Sequence, residues 1–308
     1  VKVAVVGAGL IGRAWTVVFA RAGFDTAVWD VAPDATEAAL AFCRARLPEL
    51  AAAGLLAEAP AAVLARIVAA PTLAAALDRA DYAQESGPER LEQKQALFAE
   101  LDRLAPSDAI LASSSSAIPA SRFTEALAGR ARCLVAHPAN PPYLVPVVEL
   151  SPAPWTDPEV VRRSQALMRA AGMVPATLRR EVPSFLLNRL QAALLAEAFR
   201  LVEDGVAGIE DIEATVKHGL GLRWSFMGPF ETIDLNAPGG VADYCERYAP
   251  GMAAVVREAR PPSWSPALVE MVDAARRESL PHAEHAARQE WRDRRLMALL
   301  AHKAAQPE

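Results

Sequence analysis

Lysine is scarce in this 308-residue chain: Lys2, Lys94, Lys217 and Lys303 are the only four among 32 cationic residues, set against 37 acidic ones. The formal charge of −5 and the lack of a basic block exclude a dedicated nucleic-acid surface, so no nucleic-acid partner is expected. Cysteine is also rare. Cys43, Cys133 and Cys245 lie far apart without a C-x-x-C pair, which excludes a disulfide framework and a four-thiolate zinc site. No metal is expected, and the thiols read as reduced, in a cytoplasmic protein. Long apolar runs are missing too: the Ala-rich stretches are broken by Arg, Glu or Pro before the ~18 residues a membrane span needs. The opening Val-Lys-Val-Ala-Val-Val-Gly has neither a basic leader nor a cleavage site, so no signal peptide is expected.

Hydrophobic residues make up 52% and charged residues 22%, a globular balance, and at about 150 residues per domain the length predicts two domains. Val3–Val6 reads as a buried strand, 10–22 as a helix and Asp25–Trp29 as a second strand, closing a β-α-β unit. Residues 35–77 have helical spacing interrupted at Pro48, Gly54 and Pro60, predicting two or three helices. Strand-like segments resume at 81–85, 109–112, 133–136 and 145–150, the alternation of a doubly wound, mostly parallel sheet. Beyond Glu181 the pattern turns helical: 185–203, 209–218, around 240–248, 267–277 and 282–302. The expected division is therefore an α/β domain at 1–182 and an all-helical domain at 183–308. Arg288, Arg292, Arg294 and Arg295 mark the last helix as a charged, solvated face.

Gly7-Ala8-Gly9-Leu10-Ile11-Gly12 is a G-x-G-x-x-G between the first strand and the first helix. Such glycines give a tight turn, a close backbone approach to a pyrophosphate and close helix–strand packing, and the helix N-terminus offers free N–H groups to the phosphates. Asp30 closes the second strand 18 residues after Gly12, where a carboxylate accepts hydrogen bonds from an adenosine ribose. It would repel a 2′-phosphate, and Val31-Ala32-Pro33 supplies no cation for one, so NAD is the expected cofactor.

His137, the single histidine of residues 1–217, ends the apolar run Cys133–Ala136 at the sheet edge where open α/β folds bind ligands. Glu149 follows 12 residues later inside an apolar strand, where a lone acid needs a partner. A His–Glu pair supplies one, the carboxylate fixing the ring tautomer and stabilising the imidazolium. Ser113-Ser114-Ser115-Ser116 leaves another strand at the same edge, as substrate-binding hydroxyls or as a turn and cap cluster. Asn188 stands at the start of the first C-terminal helix, facing either the cleft or solvent.

Together these segments resemble the 3-hydroxyacyl-CoA dehydrogenase family, in its λ-crystallin / L-gulonate 3-dehydrogenase branch. The resemblance rests on the glycine motif, the stretch from Gln84 to Lys94, Ala-Ser-Ser-Ser-Ser, Ala-His-Pro-Ala-Asn-Pro-Pro-Tyr and Val-Val-Glu-Leu. It continues through Phe-Leu-Leu-Asn-Arg-Leu-Gln, Gly219 to Thr232 and Glu290-Trp-Arg-Asp293. It implies an NAD-binding domain followed by a helical domain that forms a homodimer. His137 is then the general base, Glu149 its partner, and Ser115 and Asn188 the substrate-orienting residues. Asn140 matches the family Asn beside the His, and Glu85, Lys94 and Ser113 fall where the family contacts the nicotinamide half of the cofactor. The expected reaction removes the proton of a 3-hydroxyl while its carbon loses hydride to NAD.

The acyl-CoA members resemble one another in a Lys-rich hairpin after the second strand. Residues 34–81 here hold no Lys, and six acids outnumber four Arg. A small hydroxy acid, L-gulonate above all, is therefore the expected substrate, with Arg223 as a candidate carboxylate partner or an interface ion pair. The alternatives are a 3-hydroxyacyl-CoA or carnitine-like dehydrogenase and a non-catalytic, crystallin-like structural protein.

Overall fold

The computed structural model describes residues 1–306. In chain order its elements are β1 (Lys2–Val6), α1 (Leu10–Arg21), β2 (Asp25–Trp29), α2 (Pro33–Ala52), α3 (Pro60–Leu64), β3 (Ile67–Ala69), α4 (Leu73–Leu77), β4 (Tyr82–Glu85), α5 (Leu91–Leu104), β5 (Ile110–Ser113) and α6 (Ser121–Thr124). They continue with β6 (Cys133–Pro138), β7 (Val147–Pro152), α7 (Pro158–Ala170), β8 (Val174–Thr177), α8 (Leu187–Glu203), α9 (Ile209–Thr215), α10 (Gly221–Trp224), α11 (Pro229–Leu235), α12 (Gly240–Glu258), α13 (Pro266–Ser279) and α14 (His285–Ala304).

The strands form one eight-stranded sheet in the order β3-β2-β1-β4-β5-β6-β7-β8, parallel throughout except for the antiparallel pair β6–β7. Continuous apolar strands such as Val3–Val6 and Leu134–Ala136 need cover on both faces, and they have it. One core packs Trp15, Phe19 and Val28 with Leu47 and Leu50. The other packs Val6 and Leu111 with Leu77, Phe98 and Phe123.

Two short strands escape the periodicity reading. β3 has three residues and buries only Ile67, and β8 is an edge strand whose Pro175 leaves no N–H to pair. Pro48, expected as a break, lies inside α2: the helix continues because Leu47 and Leu50 are anchored in the core on either side of it.

The chain packs as two compact units, Val1–Arg189 together with the chain from Arg288 onward, and Leu190–Ala287. Divided by packing, the chain breaks inside α8, between Arg189 and Leu190, and the last helix, expected in the helical domain, packs with the sheet unit. The reason is tertiary: Met297 is buried in the first unit's core, and Asp293 accepts a hydrogen bond from the buried Tyr143. In the second unit, α8 to α13 are helical as expected, yet only Thr232, Ala237, Pro262 and Leu268 are buried among residues 190–287.

Candidate active site

The parallel register brings Val6, Trp29, Glu85 and Ser113 level at the carboxyl ends of their strands, and His137 stands two residues beyond Val135, the partner of Ser113. The glycine loop lies on this edge. Gly7 has a φ of +98°, open to glycine alone, and a Cβ on Gly12 would stand 1.7 Å from the Gly7 carbonyl oxygen. A Cβ on Gly9 would meet nothing within 4 Å. No side chain caps α1, so the N–H groups of Leu10 and Ile11 are left for a ligand. Beside the loop opens a cavity of about 800 Å³ lined by Gly7, Gly9, Trp29, Asp30, Ser86 and Leu97, among others. Asp30 accepts from the Ala8 N–H (2.7 Å) and the Ala32 N–H (2.9 Å), which fixes its carboxylate on the cavity wall with lone pairs to spare for a ribose. A dinucleotide fits these residues.

His137 and Glu149 are direct cross-strand partners on β6 and β7, and His137 Nδ1 lies 2.7 Å from Glu149 Oε2. Glu149 Oε1 accepts the N–H groups of Leu186 (2.6 Å) and Leu187 (2.8 Å) at the start of α8. Burial alone would raise the Glu149 carboxyl, but the His137 and backbone hydrogen bonds outweigh it and hold the group below the ordinary range. Glu149 therefore remains a carboxylate at neutral pH and orients the ring. The Phe185 ring, fully buried, stacks obliquely at 5.6 Å from His137. Ser184 and Phe185 both have positive φ, the backbone kink that turns the next two N–H groups toward Glu149. These backbone donors leave no mark in the sequence, because any residue type supplies them.

The serine cluster divides its work. Ser113 donates to Glu85 Oε2 at 2.5 Å, and Lys94 Nζ lies 3.0 and 2.9 Å from the two Glu85 oxygens. All three are buried, so this cluster is bound up in itself beneath the loop. Ser114 joins Trp15 Nε1, Gln84 Nε2 and Ser86 Oγ. Ser115, expected to orient substrate, is instead fully buried: its Oγ lies 2.6 Å from Glu89 Oε1 and accepts the Ile118 N–H at 2.9 Å. Four adjacent serines have no periodicity to mark the outward one, and the structure turns Ser116 out. Asn188 lies beside it, donating through Nδ2 to the Ser116 carbonyl at 2.9 Å.

Glu89, five residues before Lys94, was not singled out by its sequence. Its Oε1 accepts the successive N–H groups of Ser116, Ala117 and Ile118 and so holds the serine loop in place. Asn140 is exposed on the loop after His137, and Arg223 is exposed on α10 in the second unit. Among the described residues, no group of three or more His, Cys, Asp or Glu could hold a metal, and no helix is long and apolar enough to cross a membrane.

The NAD-binding domain of 3-hydroxyacyl-CoA dehydrogenase matches residues 2–182, and the C-terminal domain of the same family matches residues 185–281. The chain belongs to the 3-hydroxyacyl-CoA dehydrogenase family. Helix α14 lies outside both matched ranges. A lambda-crystallin homolog of Bos taurus is 46% identical over 311 residues, covering 99% of this chain and 97% of the relative. An L-carnitine dehydrogenase of Pseudomonas putida is 36% identical over 298 residues, covering 96% and 92%. Among solved structures, 5-formyl-3-hydroxy-2-methylpyridine 4-carboxylic acid 5-dehydrogenase, an NAD+-dependent dismutase, superposes with a TM-score of 0.86 at 26% identity, covering 99% of both chains. Family and site together make this chain an NAD-dependent 3-hydroxy acid dehydrogenase.

Proposed function

We propose that the substrate is a small sugar-type hydroxy acid, L-gulonate oxidised to 3-dehydro-L-gulonate, rather than an acyl-CoA. The observation that carries this is the ion pairing after β2. Coenzyme A brings several phosphate charges that need cations. All four arginines of residues 34–81 are already matched: Arg44 to Glu37 at 3.0 Å, Arg46 to Glu49 at 2.5 Å, Arg66 to Glu58 at 2.5 Å and Arg79 to Asp78 at 3.2 Å.

His137 is the general base that takes the hydroxyl proton, with Glu149 holding the resulting imidazolium. Ser116 and Asn188 orient the oxygen, Ser116 taking the role that Ser115 was expected to play. Gly7, Gly9, Leu10, Ile11, Gly12 and Asp30 hold NAD, which when bound supplies the hydride acceptor. Asn140 borders the nicotinamide side. Glu85, Lys94 and Ser113 support that side from below, through the serine loop. Arg223 is the candidate partner for the substrate carboxylate. The working unit is a homodimer through the second unit, whose apolar side chains, with Phe226 and Phe230 69% and 77% exposed, have no core of their own.

The test measures NADH formation with L-gulonate, 3-hydroxybutyrate, 3-hydroxybutyryl-CoA and carnitine. L-gulonate is expected to give the highest kcat/KM, and a preference for the CoA thioester would overturn the assignment. His137→Gln is expected to lose kcat by about 10²–10⁴-fold, the usual worth of a general base, with NADH affinity retained.

A further inference from the structure

The strands that carry His137 and Glu149 are joined by residues 139–146, the loop that also bears Asn140. Within the loop, Leu144 and Val145 both donate to the Pro141 carbonyl at 2.9 Å. From outside, the Pro146 carbonyl accepts the Val174 N–H of β8 at 2.8 Å at the far end of the loop, and Tyr143 holds its middle. The Tyr143 ring is buried with its edge toward Phe42 of α2, centroids 5.9 Å apart, and its carbonyl accepts Arg21 Nη1 from α1 at 2.8 Å. Its hydroxyl donates to Asp293 Oδ2 at 3.0 Å, across 150 residues of sequence.

Asp293 is itself buried, and its other oxygen is occupied: Arg292 Nε and Nη2 donate to Oδ1 at 2.9 and 2.7 Å. Burial, with the Asp293 charge nearby, raises the Tyr143 hydroxyl far above its ordinary value, so it remains a donor. A buried, charge-assisted hydrogen bond of this kind fixes geometry more firmly than an exposed one. Met297 anchors α14 beside it by apolar contact.

We propose that Asp293, acting through the Tyr143 hydroxyl, is a positioning residue: α14 pins the loop between the two reacting strands and thereby sets Asn140 and His137 against the substrate. The proposal rests on His137 and Glu149 being the reacting pair. It assigns to α14, outside the matched family ranges, a part in the reaction rather than in solvation alone.

Tyr143→Phe removes one hydroxyl without changing the ring. It is expected to lower kcat about ten- to a hundredfold, the scale of a small misplacement of reacting groups, while the KM for NAD is unchanged. Asp293→Ala should behave the same way, and the double variant should be no worse than the more impaired single one. Asp293→Asn keeps an oxygen that can accept from Tyr143 and should recover most of the rate. Arg294→Ala, on the exposed side of α14, should match the wild type.

Hydrogen exchange gives a second readout that does not depend on turnover. The Leu144 and Val145 amides should exchange faster in Tyr143→Phe, with strands β1 to β5 unaltered. Wild-type kcat together with unaltered exchange in Tyr143→Phe would overturn the proposal, as would a lowered melting temperature with both readouts unmoved. If the wild type oxidises none of the hydroxy acids, the substrate assignment fails, and the exchange measurement alone decides the role of Asp293. If Asp293→Ala does not fold, Tyr143→Phe still decides.

Discussion

Lys94 and Glu85 form an ion pair where water does not reach, with side chains 2% and 0% exposed. Their attraction offsets the cost of desolvating both charges only while both are present. Ser113 Oγ and the Gly87 N–H also donate to Glu85, but both are neutral, so losing the cation would leave a buried carboxylate without its counter-charge. Lys94→Met is therefore expected to destabilise the fold by about 3–5 kcal/mol, read as a lowered midpoint in urea unfolding. A midpoint within error of the wild type would mean that Glu85 finds another partner. At this scale the sequence was legible where chemistry is costly to misplace. A strand-end His and an acid inside an apolar strand announce each other, and they meet at 2.7 Å. It was illegible where neighbours share one residue type, as in the serine tetrad. Glu89 was equally hidden, because most of its partners are backbone N–H groups, which any residue type supplies.

Two glycines of the same motif do different work at the scale of the elements. Gly12 allows α1 to lie against the loop: a Cβ there would collide with the Gly7 carbonyl at 1.7 Å, backbone against backbone. Gly12→Ala should therefore cost about 1–3 kcal/mol of stability even without ligand, the scale of overpacking. Gly9 faces open space at a φ of −66°, which any residue adopts, so Gly9→Ala should leave the melting temperature unchanged. Its methyl group would instead stand where the pyrophosphate approaches, and NADH affinity should fall roughly tenfold or more, about 1.4 kcal/mol upward. Fluorescence titration of NADH beside thermal melts separates the two; equal melting losses would merge the roles. The helices and central strands could be read from periodicity because each is long enough to show one. β3, with three residues, and β8, an edge strand through Pro175, are too short or too irregular. Pro48 misled because a proline inside a helix is tolerated when the flanking turns are held by tertiary contacts, as they are at Leu47 and Leu50.

At the scale of the whole molecule the two units differ in self-sufficiency. The first encloses two hydrophobic clusters around an eight-stranded sheet, and its last helix, which composition alone marked as a solvated face, is anchored by Met297 and Asp293. Local pattern could not reveal that return, because it depends on partners 150 residues away. The second unit buries four residues out of 190–287 and leaves Leu222, Phe226, Phe230, Leu235 and Val256 more than half exposed. A helical array of that kind gains little apolar burial to offset its conformational entropy, unless another surface covers it. The proposed cover is a second copy of the same unit, since two-fold pairing is the commonest closed arrangement. Replacing Phe226 and Phe230 together with Asp would place charges on that face. The expected outcome is a shift from twice the chain mass to once in light scattering, with a lowered melting temperature. A wild-type chain that already runs as a monomer at micromolar concentration would remove the dimer from the proposal.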